Sequence, residues 1–430
     1  MSKRKWMAVA LLGLTVMIGA AIVLGGCGGD ETTTTAAPVE STDTTAAPSE
    51  STVTTPPAAG GATSMKVGFV NSATGVSAAP NQSIVGATMG AVGQINGAGG
   101  IDGKIIIELI SKDDGSDVAK ASAAVTQLIQ QDKVDFLLQP WVDFIAPVVR
   151  GIEEKAGMPG VLSYSPQKGK ETEAFKWTFA NAQGAKDNAD ALVKVFADKG
   201  WKNVVGAADV LTIQQETLDY VAEMAPGAGI TFTRLKDQWP LDQTDFSGVA
   251  SKIVAACDQA KADALCLMVT APQADAFMKA LKGAGLNIPV IGGPPLASAI
   301  PLFAQGTENV DGMYLLSTAV TAGPQLPDSY PAKPMVAGFY EAVMAETKAP
   351  PDTFAGWAAD AVNLMAEAVK RAGSTDKAAV RDAFESIQGF PGFSGTYSYS
   401  ATDHVGIHGQ MWLFQIKNGE YVLQGDAAVN

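Results

Sequence analysis

"GATMGAVGQINGAGGIDGKIIIELISKDDGSDVAKASAAVTQLI", residues 86–129, passes from one structural period to another and back. It opens inside a helical pattern. Over residues 81–96, Ile84, Ala87, Ala91 and Ile95 recur at helical spacing and mark one apolar face. "NGAGGIDG", 96–103, ends that pattern. A dinucleotide cradle runs from strand to helix; this glycine-rich stretch follows a helix and precedes a strand, so it reads as a turn and helix stop. "KIIIEL", 104–109, is a strand. Asp113 and Asp114 then stand in a strand-to-helix loop, where carboxylates favour the start of the next helix. That helix begins near Asp117 and places Val118, Ala121, Val125 and Leu128 on one face.

The same alternation extends in both directions. "KVGFV" (66–70), "VDFLL" (134–138) and "GVLSY" (160–164) are further strands of the series. The pattern restarts after Ala185 with "NVVGAA" (203–208), "ITFTRL" (230–235), "ALCLMV" (264–269) and "PVIGG" (289–293). Helices near 212–224, 246–260 and 272–284 separate them. Strands alternating with helices predict parallel sheets in βαβ units. Two series predict two doubly wound α/β lobes, with ligands held beyond the carboxyl ends of the strands. After Gly312 come helices near 335–347, 354–372 and 376–387, then short strands at 396–399, 411–416 and 421–423. "KNG" at 417–419 suits a hairpin turn between the last two.

A chain of 430 residues is too long for one ordinary domain, and its 47% apolar content supplies a sizeable core. Its net charge of −14 repels phosphate backbones, which argues against nucleic-acid binding. The N-terminus reads as a secretion signal over 1–26. Lys3-Arg4-Lys5 comes first, then an uncharged, mostly apolar run from Trp6 to Leu24. The tetrad Leu24-Gly25-Gly26-Cys27 resembles the lipobox of bacterial lipoproteins, whose cysteine is acylated and becomes the new N-terminus. Residues 27–64 are rich in Thr, Ser, Pro and Ala with almost nothing to bury, and are expected to form a disordered tether. The folded part is thus expected outside the cytoplasmic membrane of a bacterial cell, anchored through a lipid on Cys27.

No catalytic constellation stands out. The two histidines, His404 and His408, lie in "TDHVGIHGQ", a loop-like stretch that suits solvated side chains better than metal ligands. Neither a nucleophile elbow nor a phosphate-binding loop occurs. Cys257 and Cys266 are read as buried free thiols, with a helix-to-strand disulfide as the alternative. No metal and no cofactor are expected, and the chain is not expected to be an enzyme.

The order of these segments resembles the Leu/Ile/Val-binding type of bacterial solute receptor. "KVGFVNSATG" and residues 86–129 are similar to its start. "PLDQTDFSGVASKI" (240–253) and "APQADAFMKALKGAGLNIPVIGG" (271–293) are similar to its second domain, and residues 360–404 to its C-terminal part. The resemblance implies a type I periplasmic-binding fold, two α/β lobes joined by a three-crossover hinge that close on a ligand like a flytrap. Lobe one is then 65–183 plus 318–390, and lobe two 184–317 plus 391–430. The crossovers fall at Ala182 to Lys186 and Leu316 to Thr318. It also implies a monomer that delivers a small solute to an ABC permease and its ATPase. A ligand-sensing receptor of the same fold is the second reading, and a secreted enzyme a distant third.

Receptors of this type hold an α-carboxylate with hydroxyls and backbone amides after the third strand. Here Trp141, Asp143 and Phe144 occupy that region, and Ser163, Tyr164 and Ser165 the next contact segment. In the second lobe, Thr270 replaces an aromatic that closes over the ligand, and Pro294 replaces the acid that pairs with the ammonium. Trp357 is expected to add a flat apolar surface together with Trp141 and Tyr164. Without that acid the resemblance implies a small organic solute of aromatic or amide type, with leucine-type amino acids as the alternative.

Overall fold

The protein is seen in a computed structural model, which describes residues 51–53, 63–139, 144–163, 175–298, 302, 306 and 308–427. The signal segment, Cys27 and most of the span read as a tether lie outside the described residues.

The first series supplies strands β1 (Ser51–Val53), β2 (Thr63–Asn71), β3 (Ile105–Asp113), β4 (Phe136–Gln139), β5 (Gly160–Leu162) and β6 (Thr178–Ala180). They form one sheet in the order β1-β3-β2-β4-β5-β6. All neighbours are parallel except β1, which runs antiparallel along β3. β1 falls inside the span read as tether, and β2 starts at Thr63, so that span carries two pieces of sheet. Helices α1 (Ala78–Gly97), α2 (Val118–Gln130) and α3 (Ala146–Ala156) connect the strands. Along β2, Met65, Val67 and Phe69 point into one core with Ile84 and Val92 of α1, while Val70 faces Val125 and Leu128 of α2 on the other side. Both faces are covered, which is why these strands read as apolar runs.

The second series begins with α4 (Ala185–Asp198) and runs through β7 (Asn203–Ala208), α5 (Thr212–Met224), β8 (Thr231–Arg234), α6 (Ser247–Ala260), β9 (Ala264–Met268), α7 (Ala271–Gly283), β10 (Val290–Gly292) and β11 (Tyr314–Ser317). The chain continues through α8 (Ala319–Ala322), α9 (Lys333–Thr347), α10 (Thr353–Ala372) and α11 (Lys377–Glu385). A small hairpin follows, β12 (Phe390–Pro391) and β13 (Thr396–Tyr397), then β14 (Trp412–Lys417) and β15 (Glu420–Asp426). The second sheet has the order β15-β14-β11-β10-β9-β7-β8, with β14 and β15 antiparallel at its edge. In each sheet the strand order reverses once, between β2 and β4 and between β7 and β9. That reversal is the switch point where α/β folds open a crevice.

Packing redraws the expected lobe limits. Ala319, Ala322, Leu326 and Val336 are buried in the second core, so the chain after β11 covers the second lobe before α10 enters the first. Tyr397, Tyr399 and Ile407 are buried in the first core, so the return to the second sheet comes after Ile407 rather than at 391. Cys257 belongs to the cluster under α6 and α7, and Cys266 to the cluster on the opposite face of the sheet. Both thiols are free and buried, and the sheet between them rules out the disulfide in this structure. No helix among the described residues is long and apolar enough to cross a membrane.

Candidate functional site: the cleft between the lobes

The first-lobe wall is the loop from β2 to α1. Ser72 Oγ donates to Asp114 Oδ1 at 2.6 Å, and Thr74 Oγ1 to Asp113 Oδ2 at 2.7 Å. Ser116 Oγ donates to Thr74 O at 2.9 Å and accepts from Ser77 N at 3.1 Å. Gly75 sits at φ 86, where a Cβ would stand 2.7 Å from Ser116 Oγ, so only glycine lets the two loops close. Burial works to raise the Asp113 pKa, but the Thr74 hydroxyl and the surrounding amides outweigh it and the carboxyl is lowered. At Asp114 desolvation wins and the carboxyl is raised. The pair thus laces the β2–α1 loop. The cap of α2 is instead Asp117, which accepts from Lys120 N at 2.8 Å, so the sequence reading of Asp113-Asp114 as the cap is corrected.

The second-lobe wall follows β7, β9 and β10. Asp209, just past β7, accepts from Leu211 N at 3.0 Å and from Gln214 Nε2 at 2.7 Å, which commits it to the start of α5. Thr270 stands at the N-cap of α7. Gln273 Nε2 donates to Pro240 O at 2.9 Å and Leu241 O at 3.0 Å, fixing that loop beside it. Pro294 opens a one-turn 3-10 helix.

The walls meet. A cavity of about 30 Å³ is lined by Val76, Ser77 and Pro80 from the first lobe. Leu241, Thr270, Pro272 and Pro295 line it from the second. None of these carries a charge. Such a volume holds about one water, so a solute enters only when the lobes part. Leu211 of the β7–α5 loop is buried in the first lobe's core with Phe354 and Trp357, a second point of interlobe contact. A larger cavity, about 160 Å³, lies outside the cleft, between α1 (Gly86, Gly90), α9 (Phe339, Val343) and α10 (Ala355, Ala359).

Of the residues expected from sequence, Thr270 lines the cleft, and Pro294 is buried beside the lining Pro295. Ser163 is buried just past β5, and Phe144 is exposed just before α3. Trp141, Asp143, Tyr164 and Ser165 lie outside the described residues. Trp357 is buried in α10, edge-on to Phe354 with ring centroids 5.6 Å apart. Its Nε1 donates to Gln183 Oε1 at 3.2 Å, so it is tied to the first crossover. The reading missed Val76, Ser77, Pro80, Leu241, Pro272 and Pro295. Their only signal was position, each following the carboxyl end of a strand.

His404 departs from its reading as a solvated loop side chain. Its ring stacks on Phe179 at 4.2 Å and Nδ1 donates to Thr178 O at 3.1 Å. His408 is half exposed, between Asp187 and Asp403. The Asp187 carboxylate, 3.7 Å from Nδ1, and then Asp403, 3.1 Å from Nε2, raise its pKa to about 9. No group of three metal-ligating side chains occurs among the described residues.

Two doubly wound lobes, joined by three crossovers and facing each other across their switch points, define the type I solute-binding fold. The chain belongs to the periplasmic binding protein family, whose model matches residues 64–420. Solved structures with this fold include an extracellular ligand-binding receptor from Rhodopseudomonas palustris (23% identity, TM-score 0.73, covering 84% of this chain and 99% of that one). The branched-chain amino acid transporter substrate-binding protein LivJ from Streptococcus pneumoniae, in complex with isoleucine, matches at 24% identity with TM-score 0.70, over 84% of this chain and 100% of that one. An ABC transporter solute-binding protein from R. palustris in complex with benzoate matches at 21% identity with TM-score 0.71, over 85% and 96%.

Proposed function

We propose that the protein is an extracytoplasmic solute-binding lipoprotein, anchored through Cys27, that takes a small organic solute between its lobes and delivers it to an ABC importer. The neighbours with isoleucine and with benzoate share one fold, so the choice of solute belongs to the cleft side chains. The observation that carries the reading is that the described cleft lining is uncharged: Leu241, Thr270, Pro272 and Pro295 face Val76, Ser77 and Pro80, and Asp209 is committed to a helix start. A desolvated ammonium without a charged partner costs several kcal/mol. The wall therefore favours a solute of aromatic or amide type over an α-amino acid.

A thermal-shift screen tests this. Leucine, isoleucine and valine are compared with aromatic acids, amides and polyamines. Aromatic acids or amides are expected to raise the melting temperature in proportion to the logarithm of concentration. Micromolar binding of leucine, isoleucine or valine, undiminished by Trp141→Ala, overturns the solute assignment.

A further inference from the structure

The hairpin β12–β13 belongs to neither sheet, yet its loop touches the first and third crossovers and the second lobe's α8. At the first, Tyr397 Oη lies 3.2 Å from Asn181 O. In the second lobe, Ala319 N at the start of α8 donates to Ser394 O at 3.4 Å. At the third, Thr396 N donates to Gln410 Oε1 at 2.7 Å, and Gln410 Nε2 returns a bond to Thr396 O at 2.9 Å. One carboxylate holds the hairpin. Asp360, fully buried in α10, accepts from Phe393 N at 2.6 Å through Oδ1. Its Oδ2 accepts from Ser394 N at 2.8 Å and lies 2.9 Å from Tyr397 Oη. Gly392 makes room for it: a Cβ there would stand 2.8 Å from Asp360 Oδ1 and overlap the Tyr397 ring. Desolvation lifts the Asp360 carboxyl to about 6 against the pull of the amides and hydroxyls. The node is therefore dry, and its hydrogen bonds are correspondingly strong.

We propose that Asp360 is the positioning residue of the hinge: through the 392–397 loop it pins the first and third crossovers and the start of α8 in the second lobe at one point and so sets the angle between the lobes at rest. The proposal rests on the solute-binding reading, since a binding-competent angle matters only if the lobes close on something. Asp360 is placed at the crossovers and not among the cleft-lining residues, so it acts through the resting population of competent conformers.

The test needs no solute, so its failure and that of the solute assignment are distinguishable. Spin labels are placed on Ala123→Cys of α2 and Lys279→Cys of α7, both exposed and on different lobes. The background is the full chain carrying Cys27→Ser. Cys257 and Cys266 are buried, with thiols raised to about 11 and 12 by desolvation, and stay unlabelled. The parent is expected to give one narrow interlobe distance. Asp360→Asn places an amide donor against backbone donors, and Tyr397→Phe removes only the hydroxyl between Asp360 and Asn181. Both are expected to add a second distance population or shift the mean. A purely structural role lowers the melting temperature and leaves the distance in the folded protein unmoved. An unchanged distribution in Tyr397→Phe, the milder variant, overturns the proposal whether or not Asp360→Asn folds.

Discussion

Gly406→Ala is expected to destabilise the protein through one identified clash. The segment around Gly406 runs beside β6: Gly406 N donates to Ala180 O at 2.9 Å and Ala180 N donates to His404 O at 2.8 Å. An added Cβ would stand 2.5 Å from the Tyr399 hydroxyl and closer still to its ring. Tyr399 has no room to yield. It is 1% exposed, edge-on to Phe179 and Phe384 at 5.6 and 5.5 Å, and its hydroxyl donates to Ala180 O at 3.1 Å. Overpacking a filled core costs about 1–3 kcal/mol, and losing the Tyr399 hydrogen bond about 1 kcal/mol more. The sum, about 2–4 kcal/mol, should lower the urea midpoint at unchanged slope. In a Tyr399→Leu background the obstructing ring is gone, and the cost of Gly406→Ala should fall below about 1 kcal/mol, a coupling that a double-mutant cycle reads directly. A cost within about 0.5 kcal/mol of zero in the parent, or the same cost in both backgrounds, refutes the reasoning.

His408→Gln should show a pH-dependent loss. The His408 pKa is raised to about 9, so its contribution is complete below about 6.5, is lost as pH rises through 9, and at half exposure stays under about 1 kcal/mol. Urea midpoints at pH 6 and pH 10 check it; an equal loss at both removes the linkage. Cys257 and Cys266 should be inert to a thiol reagent in the folded protein and both react in denaturant without reductant. Fewer than two reactive thiols there means they are bonded. Protein extracted from membranes should carry an acyl mass increment on Cys27 that Cys27→Ser lacks, and an unmodified Cys27 ends the lipid-anchor reading.

The sheets were legible because both faces of each are covered, which turns strands such as "ALCLM" into uninterrupted apolar runs. The alternation predicted parallel sheets in two lobes, while strand order and register come from the structure. What local pattern missed has its partner far along the chain. His404 sits in a loop by composition, but the loop runs beside β6 and the ring finds Phe179, 225 positions earlier. Tyr397 and Tyr399 look like any short strand, and only α10 and α11 reveal which core they enter. β1 escaped because an antiparallel edge strand needs backbone groups rather than apolar side chains, so a Thr-rich tract can supply one. In the cleft, the family resemblance pointed to Thr270, while Val76, Ser77, Pro80 and Leu241 carry no charge or aromatic ring that marks them out in the sequence.

The interleaving of the lobes bears on how the chain folds as it emerges. Neither sheet-bearing half is contiguous. The first core lacks Phe354 to Ile407 until the whole second series has appeared, and β11 is an open edge until β14 pairs with it through Ser317↔Trp412. A chain stopped before residue 412 would present that unpaired edge to its neighbours. The native state is therefore reached only when the last strands arrive, and contacts spanning most of the sequence make this final step slow.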